Sequence, residues 1–162
     1  MDHKLVLATL DDIDEILSLY HHVIETTFTT WGDDYPNREL LENDIMSKSL
    51  YVLKSQNDII GVSFFGIKEN DDESWIFPLS NPMSVARICV SPEHQGKGVG
   101  TYLMHKLVSL AKEKGADGMH FHVCTQNPSA MKMYEKAGFK NTGPGKSNYG
   151  FEFFKYEQIF KK

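Results

Sequence analysis

The chain has 162 residues, 41% hydrophobic and 24% charged, with 22 Asp and Glu against 17 Lys and Arg for a formal net charge of -5. That length suits a single domain, residues 1–162, whose core needs neither disulfide nor metal, and the acidic balance lacks the basic footprint of a nucleic-acid binder. No apolar run reaches the roughly 18 residues of a membrane span, no basic leader precedes an apolar segment, and Cys89 and Cys124 lack metal-ligand or CxxC spacing, so a reduced, cytoplasmic protein is expected.

Residues 5–8 read as a first strand. Thr9-Leu10-Asp11-Asp12 resembles a capping box with Asp in place of Glu, and the following helix places Ile13, Ile16, Leu17, Tyr20 and Ile24 on one face. Residues 26–36 form a loop with Phe28, Trp31 and Tyr35. A second helix begins near Asn37 and turns Leu40, Leu41 and Ile45 inward. Strands at 50–54 and 59–67 meet at an Asn57-Asp58 turn, and an acidic loop, 69–73, follows. A fourth strand covers 84–91. The helix at 98–114 carries Val99, Leu103, Leu107 and Leu110 as its apolar stripe and stops at Gly115. A fifth strand spans 118–125. Asn127 caps a short helix, Pro128 takes its first position and Gly138 ends it. Two strands, near 139–142 and 151–160, complete an α/β domain with a mixed sheet.

The sequence Val90-Ser91-Pro92-Glu93-His94-Gln95-Gly96-Lys97-Gly98-Val99-Gly100-Thr101 joins a strand to that long helix through a glycine-rich turn. The first turn of a helix has amides without intrahelical partners and the positive end of the dipole. Glycines let a ligand approach that backbone, which suits a diphosphate. A Walker loop needs Ser or Thr after the Lys, and Lys97 is followed by Gly98; a dinucleotide loop needs G-x-G-x-x-G, and here the glycines fall at 96, 98 and 100. A glycine-rich helix start without a ligand is the other reading of this segment.

Gln95-Gly96-Lys97-Gly98-Val99-Gly100 fits Q/R-x-x-G-x-G/A, and Asn127-Pro128-Ser129-Ala130-Met131-Lys132-Met133-Tyr134-Glu135-Lys136-Ala137-Gly138-Phe139 fits N-x-x-A-x-x-x-Y-x-x-x-G-F. Together, across residues 85–139, they resemble the GNAT superfamily of N-acetyltransferases. The resemblance implies a mostly antiparallel sheet with splayed fourth and fifth strands, flanked by helices, and acetyl-CoA as cosubstrate. The amides of Gln95, Gly96, Lys97, Gly98, Val99 and Gly100, with Thr101, would hold the CoA pyrophosphate. The main chain of Ile88 and Val90 would pair with the pantetheine arm as an added strand. Asn127 would contact pantetheine, and Tyr134 would protonate the leaving thiolate. Tyr134 also shares a helix face with Ala130 and Ala137, so a core aromatic is its alternative reading.

Transfer to an amine needs a neutral nitrogen, which for a lysine-like amine of pKa about 10.4 costs about 4–5 kcal/mol at neutral pH. Many family members place a Glu on the fourth strand as base; Val85-Ala86-Arg87-Ile88-Cys89-Val90 has none, and Arg87 cannot serve. His122, five residues before Asn127, is the substitute expected here. It stands where the similar ribosomal-protein N-terminal acetyltransferases carry a Glu, and imidazole titrates in the right range. His120 and His122 simply sharing a strand face is the competing reading, with Glu25, Asp33, Asp34 and Glu73 next in line as bases through water. No third metal ligand accompanies the two histidines, and no metal site is expected. Phe28, Trp31, Tyr35, Trp75 and Phe77 are the acceptor-side aromatics, with Asp33, Asp34 and Glu73 nearby to hold an ammonium; anchoring loops to the core is their alternative role. The expected reaction is direct acetyl transfer to a primary amine of a small molecule or peptide. A non-catalytic acyl-CoA-binding domain of the same fold is the alternative. Dimers are common in the family, though no segment here demands one.

Overall fold

The computed structural model describes residues 3–26, 31–32, 34–67, 74–146 and 150–160. They gather into two compact units, Met1–Phe65 with Ala86–Leu103, and Gly66–Val85 with Met104–Lys162. In chain order the elements are β1 (His3–Leu7), α1 (Ile13–Thr26), α2 (Arg38–Met46), β2 (Leu50–Ser55), β3 (Asp58–Gly66), β4 (Pro82–Val90), α3 (Val99–Glu113), β5 (Gly118–Cys124), α4 (Pro128–Lys136), β6 (Lys140–Pro144) and β7 (Phe153–Ile159), with 3-10 turns at Leu10–Asp12 and Pro92–His94. Every expected helix and strand is present in the expected order, with ends shifted by about two residues at most. The strands form a mixed, mostly antiparallel sheet with flanking helices. Strand order is β1-β2-β3-β4 in the first unit and β4-β5-β7-β6 in the second. Among the described pairings, the parallel pair β4–β5 is registered at the N-terminal ends of both strands, Pro82↔Gly118 and Met83↔Met119.

In the first unit, α1 buries Ile13, Ile16, Leu19, Tyr20 and Val23. The buried face is therefore rotated from the expected one, with Leu17 and Ile24 only half-buried. Ile16, Leu19, Tyr20 and Val23 pack with Leu41 of α2 and Leu50, Val52, Ile59, Val62 and Cys89 of the strands. Each large apolar side chain so enclosed contributes roughly 1.5–3 kcal/mol. The β2–β3 turn also lies one residue earlier than the sequence suggests: Ser55 pairs with Asp58, which leaves Gln56 and Asn57 in the turn, Gln56 at φ 57. The Thr9 amide donates to Asp12 Oδ2 at 2.8 Å, and Asn37 caps α2 by accepting from the Leu40 amide at 2.9 Å. No described helix is long and apolar enough to cross a membrane.

In the second unit, β5 and β7 pair along their length, from Gly118↔Ile159 to Cys124↔Phe153. Directly opposed residues share a sheet face, so one face carries His120, His122, Lys155 and Glu157 and the other carries Phe121 and Tyr156. The turn into β4 is held by Asp117, which accepts from the amides of Ser80 at 2.6 Å and Asn81 at 2.9 Å and from the Ser80 hydroxyl at 3.0 Å.

Those donors, the Ser80 amide foremost, hold the Asp117 carboxyl below its ordinary range. A carboxyl with a lower pKa folded than unfolded stabilises the fold above the unfolded value of about 3.9, and that contribution disappears as pH falls through the folded value. Urea unfolding of Asp117→Asn is therefore expected to show a lower midpoint than wild type at pH 7, with the gap closing below about pH 4.

Candidate active site

In the first unit, β4 ends in a 3-10 turn and then turns into α3 through two glycines in the left-handed region, Gly96 at φ 76 and Gly98 at φ 82. Side-chain-bearing residues adopt that conformation at a cost of roughly 1–2 kcal/mol. A Cβ at Gly96 would meet nothing within 4 Å, so the glycine is there for backbone conformation and not for packing. Gln95 donates its side-chain amide to the Val90 carbonyl at 3.1 Å, bracing the turn against the strand end. The Ser91 amide donates to the Ile60 carbonyl at 2.8 Å, tying the same end to β3. The Tyr102 amide reaches back to the Gly98 carbonyl at 3.0 Å, so the amides of Val99, Gly100 and Thr101 precede the helical ladder. Gln95, Gly96, Lys97 and Gly98 are exposed, Gly100 and Thr101 half-buried, and only Val99 turns fully into the core. The segment thus offers main-chain donors at the positive end of a 15-residue helix, an environment suited to a diphosphate.

Within β4, Ile88 is half-buried and Val90 buried. Arg87 takes φ 50 and turns its side chain inward. Its Nη2 donates to Asp44 Oδ2 of α2 at 2.7 Å, with only 9% and 11% of the two side chains exposed. Its Nη1 donates to the Tyr35 hydroxyl at 3.3 Å, and the guanidinium lies 5.4 Å from the Phe64 ring centroid. The Arg87 carbonyl accepts from the Tyr20 hydroxyl at 2.6 Å. Burial works against the guanidinium charge, but Tyr35 and Asp44 outweigh it and push its pKa up. Trp31 packs edge-on against Tyr20, ring centroids 5.1 Å apart, while Tyr35 is 44% exposed.

In the second unit, Trp75 lies face to face with His120, centroids 3.9 Å apart and planes 9° from parallel, and tilted over His122 at 5.0 Å. His122 is half-buried. A Cβ on Gly145 would come within 2.5 Å of its Cδ2, so the chain presses against one edge of this imidazole. Trp75 keeps its place through two buried charged residues of β7. Glu157, fully buried, accepts from the amides of Ile76 at 3.0 Å and Phe77 at 2.9 Å and from the Thr142 hydroxyl. Lys155 donates to the Ser74 carbonyl.

The α4 cap is the expected one: Asn127 Oδ1 accepts from the Ala130 amide at 3.2 Å, so that oxygen serves the helix. Tyr134 is buried, its ring against Phe121 at 4.7 Å and Tyr156 at 5.9 Å. Burial pushes its phenol far above the ordinary range, which keeps it protonated and a donor. Core aromatic and proton donor are thus compatible descriptions. Cys89 and Cys124 are both buried, and burial pushes the Cys89 thiol up, against a nucleophilic thiolate there. Phe28, Asp33, Glu73 and the rest of the acidic loop lie outside the described residues. Among the described residues, no group of three His, Cys, Asp or Glu is placed to hold a metal.

The model of the acetyltransferase (GNAT) family matches residues 16–139. The chain belongs to that family. GNAT relatives resemble it to different extents. The [ribosomal protein bS18]-alanine N-acetyltransferase of Haemophilus influenzae is 32% identical over 133 residues, covering 79% of this chain and 73% of that protein. The uncharacterized N-acetyltransferase YobR of Bacillus subtilis is 40% identical over 55 residues, but these are 34% of this chain and only 22% of the relative. Among solved structures, the PaiA N-acetyltransferase of Thermoplasma acidophilum in complex with coenzyme A has the same fold, with TM-score 0.77 at 18% identity, covering 99% of this chain and 100% of that one.

Sequence reasoning missed the roles of Asp44, Arg87, Lys155 and Glu157. Each is a charged residue in a strand or facing a core, a pattern that marks the residue but not the distant group it meets. Glu157→Ala leaves two amides and a hydroxyl without their acceptor. It is expected to cost at least ~1.5–3 kcal/mol, the contribution of a hydrogen bond to a charged group, read as a lower midpoint in urea.

Proposed function

We propose that residues 1–162 act as one acetyltransferase domain that moves the acetyl group of acetyl-CoA directly onto a primary amine of a small molecule or peptide. The observation that carries this reading is the start of α3, where Gly96 and Gly98 adopt positive φ and the main chain offers donors fit for the CoA pyrophosphate. The coenzyme bound to the PaiA relative supports the same assignment. Ile88 and Val90 would pair with the pantetheine arm through their main chain, and Asn127 would approach it from the cap of α4.

In the proposed chemistry, His122 takes a proton from the ammonium form of the acceptor. The neutral nitrogen attacks the thioester carbon, an amide near Val90 donates to the developing oxyanion, and the C–S bond breaks. The departing sulfur receives the Tyr134 phenolic proton, and the extra proton on the acylated nitrogen passes through solvent to the tyrosinate, leaving a neutral amide and a regenerated phenol. Burial keeps the Tyr134 phenol protonated, which holds a proton at the site while making the phenol a weaker acid. Trp31, Tyr35 and Trp75 are the proposed acceptor-side residues. Trp75 already has one imidazole stacked on it, so its role is to wall the site beside His122.

One observation favours a second reading, an acyl-CoA-binding domain without turnover. The described β4 carries no carboxylate, and its one ionic side chain, Arg87, is paired with Asp44. Thiol release from acetyl-CoA with a panel of small amines, amino acids and peptides separates the two. Amine-dependent release supports transfer; coenzyme binding with no release for any amine supports the binding domain. Tyr134→Phe is expected to lower kcat by about 10²–10⁴, the range of general acid–base contributions, with little change in KM for acetyl-CoA. His122→Gln is expected to lower kcat/KM and to flatten the acidic limb of its pH profile, as loss of a general base does. An unchanged limb and rate would remove His122 from the mechanism.

A further inference from the structure

Arg87 is left without a task by the chemistry above, although it is a charged residue inside an apolar strand and has the one described backbone conformation in β4 that side chains disfavour, φ 50. Such a conformation costs of order 1–3 kcal/mol and persists only where surrounding contacts over-determine it. Here they do. The Tyr20 hydroxyl holds the carbonyl of the residue at 2.6 Å, Asp44 holds one end of the guanidinium at 2.7 Å, the Tyr35 hydroxyl meets the other at 3.3 Å, and the Phe64 ring lies against it.

Tyr35 belongs to a small structure of its own. Gly32 and Tyr35 exchange backbone hydrogen bonds, at 3.0 Å from the Gly32 amide and 3.1 Å from the Tyr35 amide, closing a tight turn. Trp31, at its entrance, packs on Tyr20, which bonds the Arg87 carbonyl. Tyr35, at its exit, bonds the Arg87 guanidinium. The exit of the turn is therefore bonded directly to the Arg87 side chain, and its entrance packs on the tyrosine that bonds the Arg87 carbonyl.

We infer that Arg87 is a positioning residue that fixes the Trp31–Tyr35 turn to β4 and thereby sets where the acceptor is held relative to that strand. The ion pair with Asp44 orients the guanidinium fork, the fork aims the Tyr35 hydroxyl, and the inward turn of the backbone makes both reachable. A planar guanidinium serves two partners in different directions; an ammonium is a single point charge and does not. The inference rests on the acetyl-transfer reading for its functional meaning, but the fastening itself is testable without turnover.

Arg87→Lys keeps the charge beside Asp44 and gives up the fork, and Tyr35→Phe removes only one hydroxyl. Each is expected to raise KM for the amine about three- to tenfold, the range one hydrogen bond contributes, while KM for acetyl-CoA and the melting temperature of Tyr35→Phe stay near wild type. The double variant is expected to be no worse than the larger single effect, because the two residues act through one contact. The chain has two tryptophans, so a Trp75→Phe background makes Trp31 the sole reporter. There, acrylamide quenching of Trp31 is expected to increase in Arg87→Lys. Unchanged amine KM in both variants, effects that multiply in the double variant, or unchanged Trp31 quenching would overturn the inference. If wild-type protein turned over no amine, the transfer reading would fall, and Trp31 quenching would still decide whether Arg87 fastens the turn.

Discussion

The first turn of α3 depends on two backbone conformations that only glycine adopts without strain, at Gly96 and Gly98. They let the chain leave β4, turn sharply and begin a 15-residue helix with its opening amides unclaimed by the helical ladder. Gln95 ties the turn to Val90 and Ser91 ties the strand end to Ile60, so those donors are fixed before any ligand arrives. An anion received there meets donors and a helix dipole that need no rearrangement.

Around it, buried charge is used to place backbone. Arg87 pairs with Asp44 in the first unit, its Nε buried without a hydrogen-bond partner among the described residues, and Glu157 receives two amides and a hydroxyl in the second. A buried ion costs several kcal/mol unless its hydrogen bonds are complete, and replacing such groups by apolar side chains is often stabilising. What these residues contribute is definition: Arg87 fixes a turn bearing Tyr35, and Glu157 with Lys155 fixes a segment bearing Trp75 against His120 and His122. The aromatic residues that sequence alone suggested for the acceptor side thus divide. Tyr35 is well exposed, and Trp75 is a wall built onto two imidazoles.

The order of elements was legible because each had a local signal. The apolar stripe of α3 and the Asn127, Pro128 and Gly138 punctuation of α4 lie within one or two helical turns of chain, and the glycine spacing at 96, 98 and 100 marked the anion loop. The face of α1 was misjudged by part of a turn, because Leu19 and Val23 compete with Leu17 and Ile24 for the same core and only packing decides between them. The Gln56-Asn57 turn was misplaced by one residue because register belongs to the strand pair and not to the turn residues. Arg87–Asp44 and Glu157–Ile76 were illegible for a different reason. Their partners are 43 and 81 residues apart in sequence, and nothing local records which distant group a buried charge meets.

The central claim is that main-chain donors at the start of α3 grip a diphosphate. Titration calorimetry with acetyl-CoA, its 3′-dephospho form and S-acetylpantetheine tests it most directly. Both diphosphate-bearing compounds are expected to bind, and the thioester arm alone is expected to give no heat at the same concentrations. Equal binding of S-acetylpantetheine, or no heat from acetyl-CoA with folded protein, would contradict it.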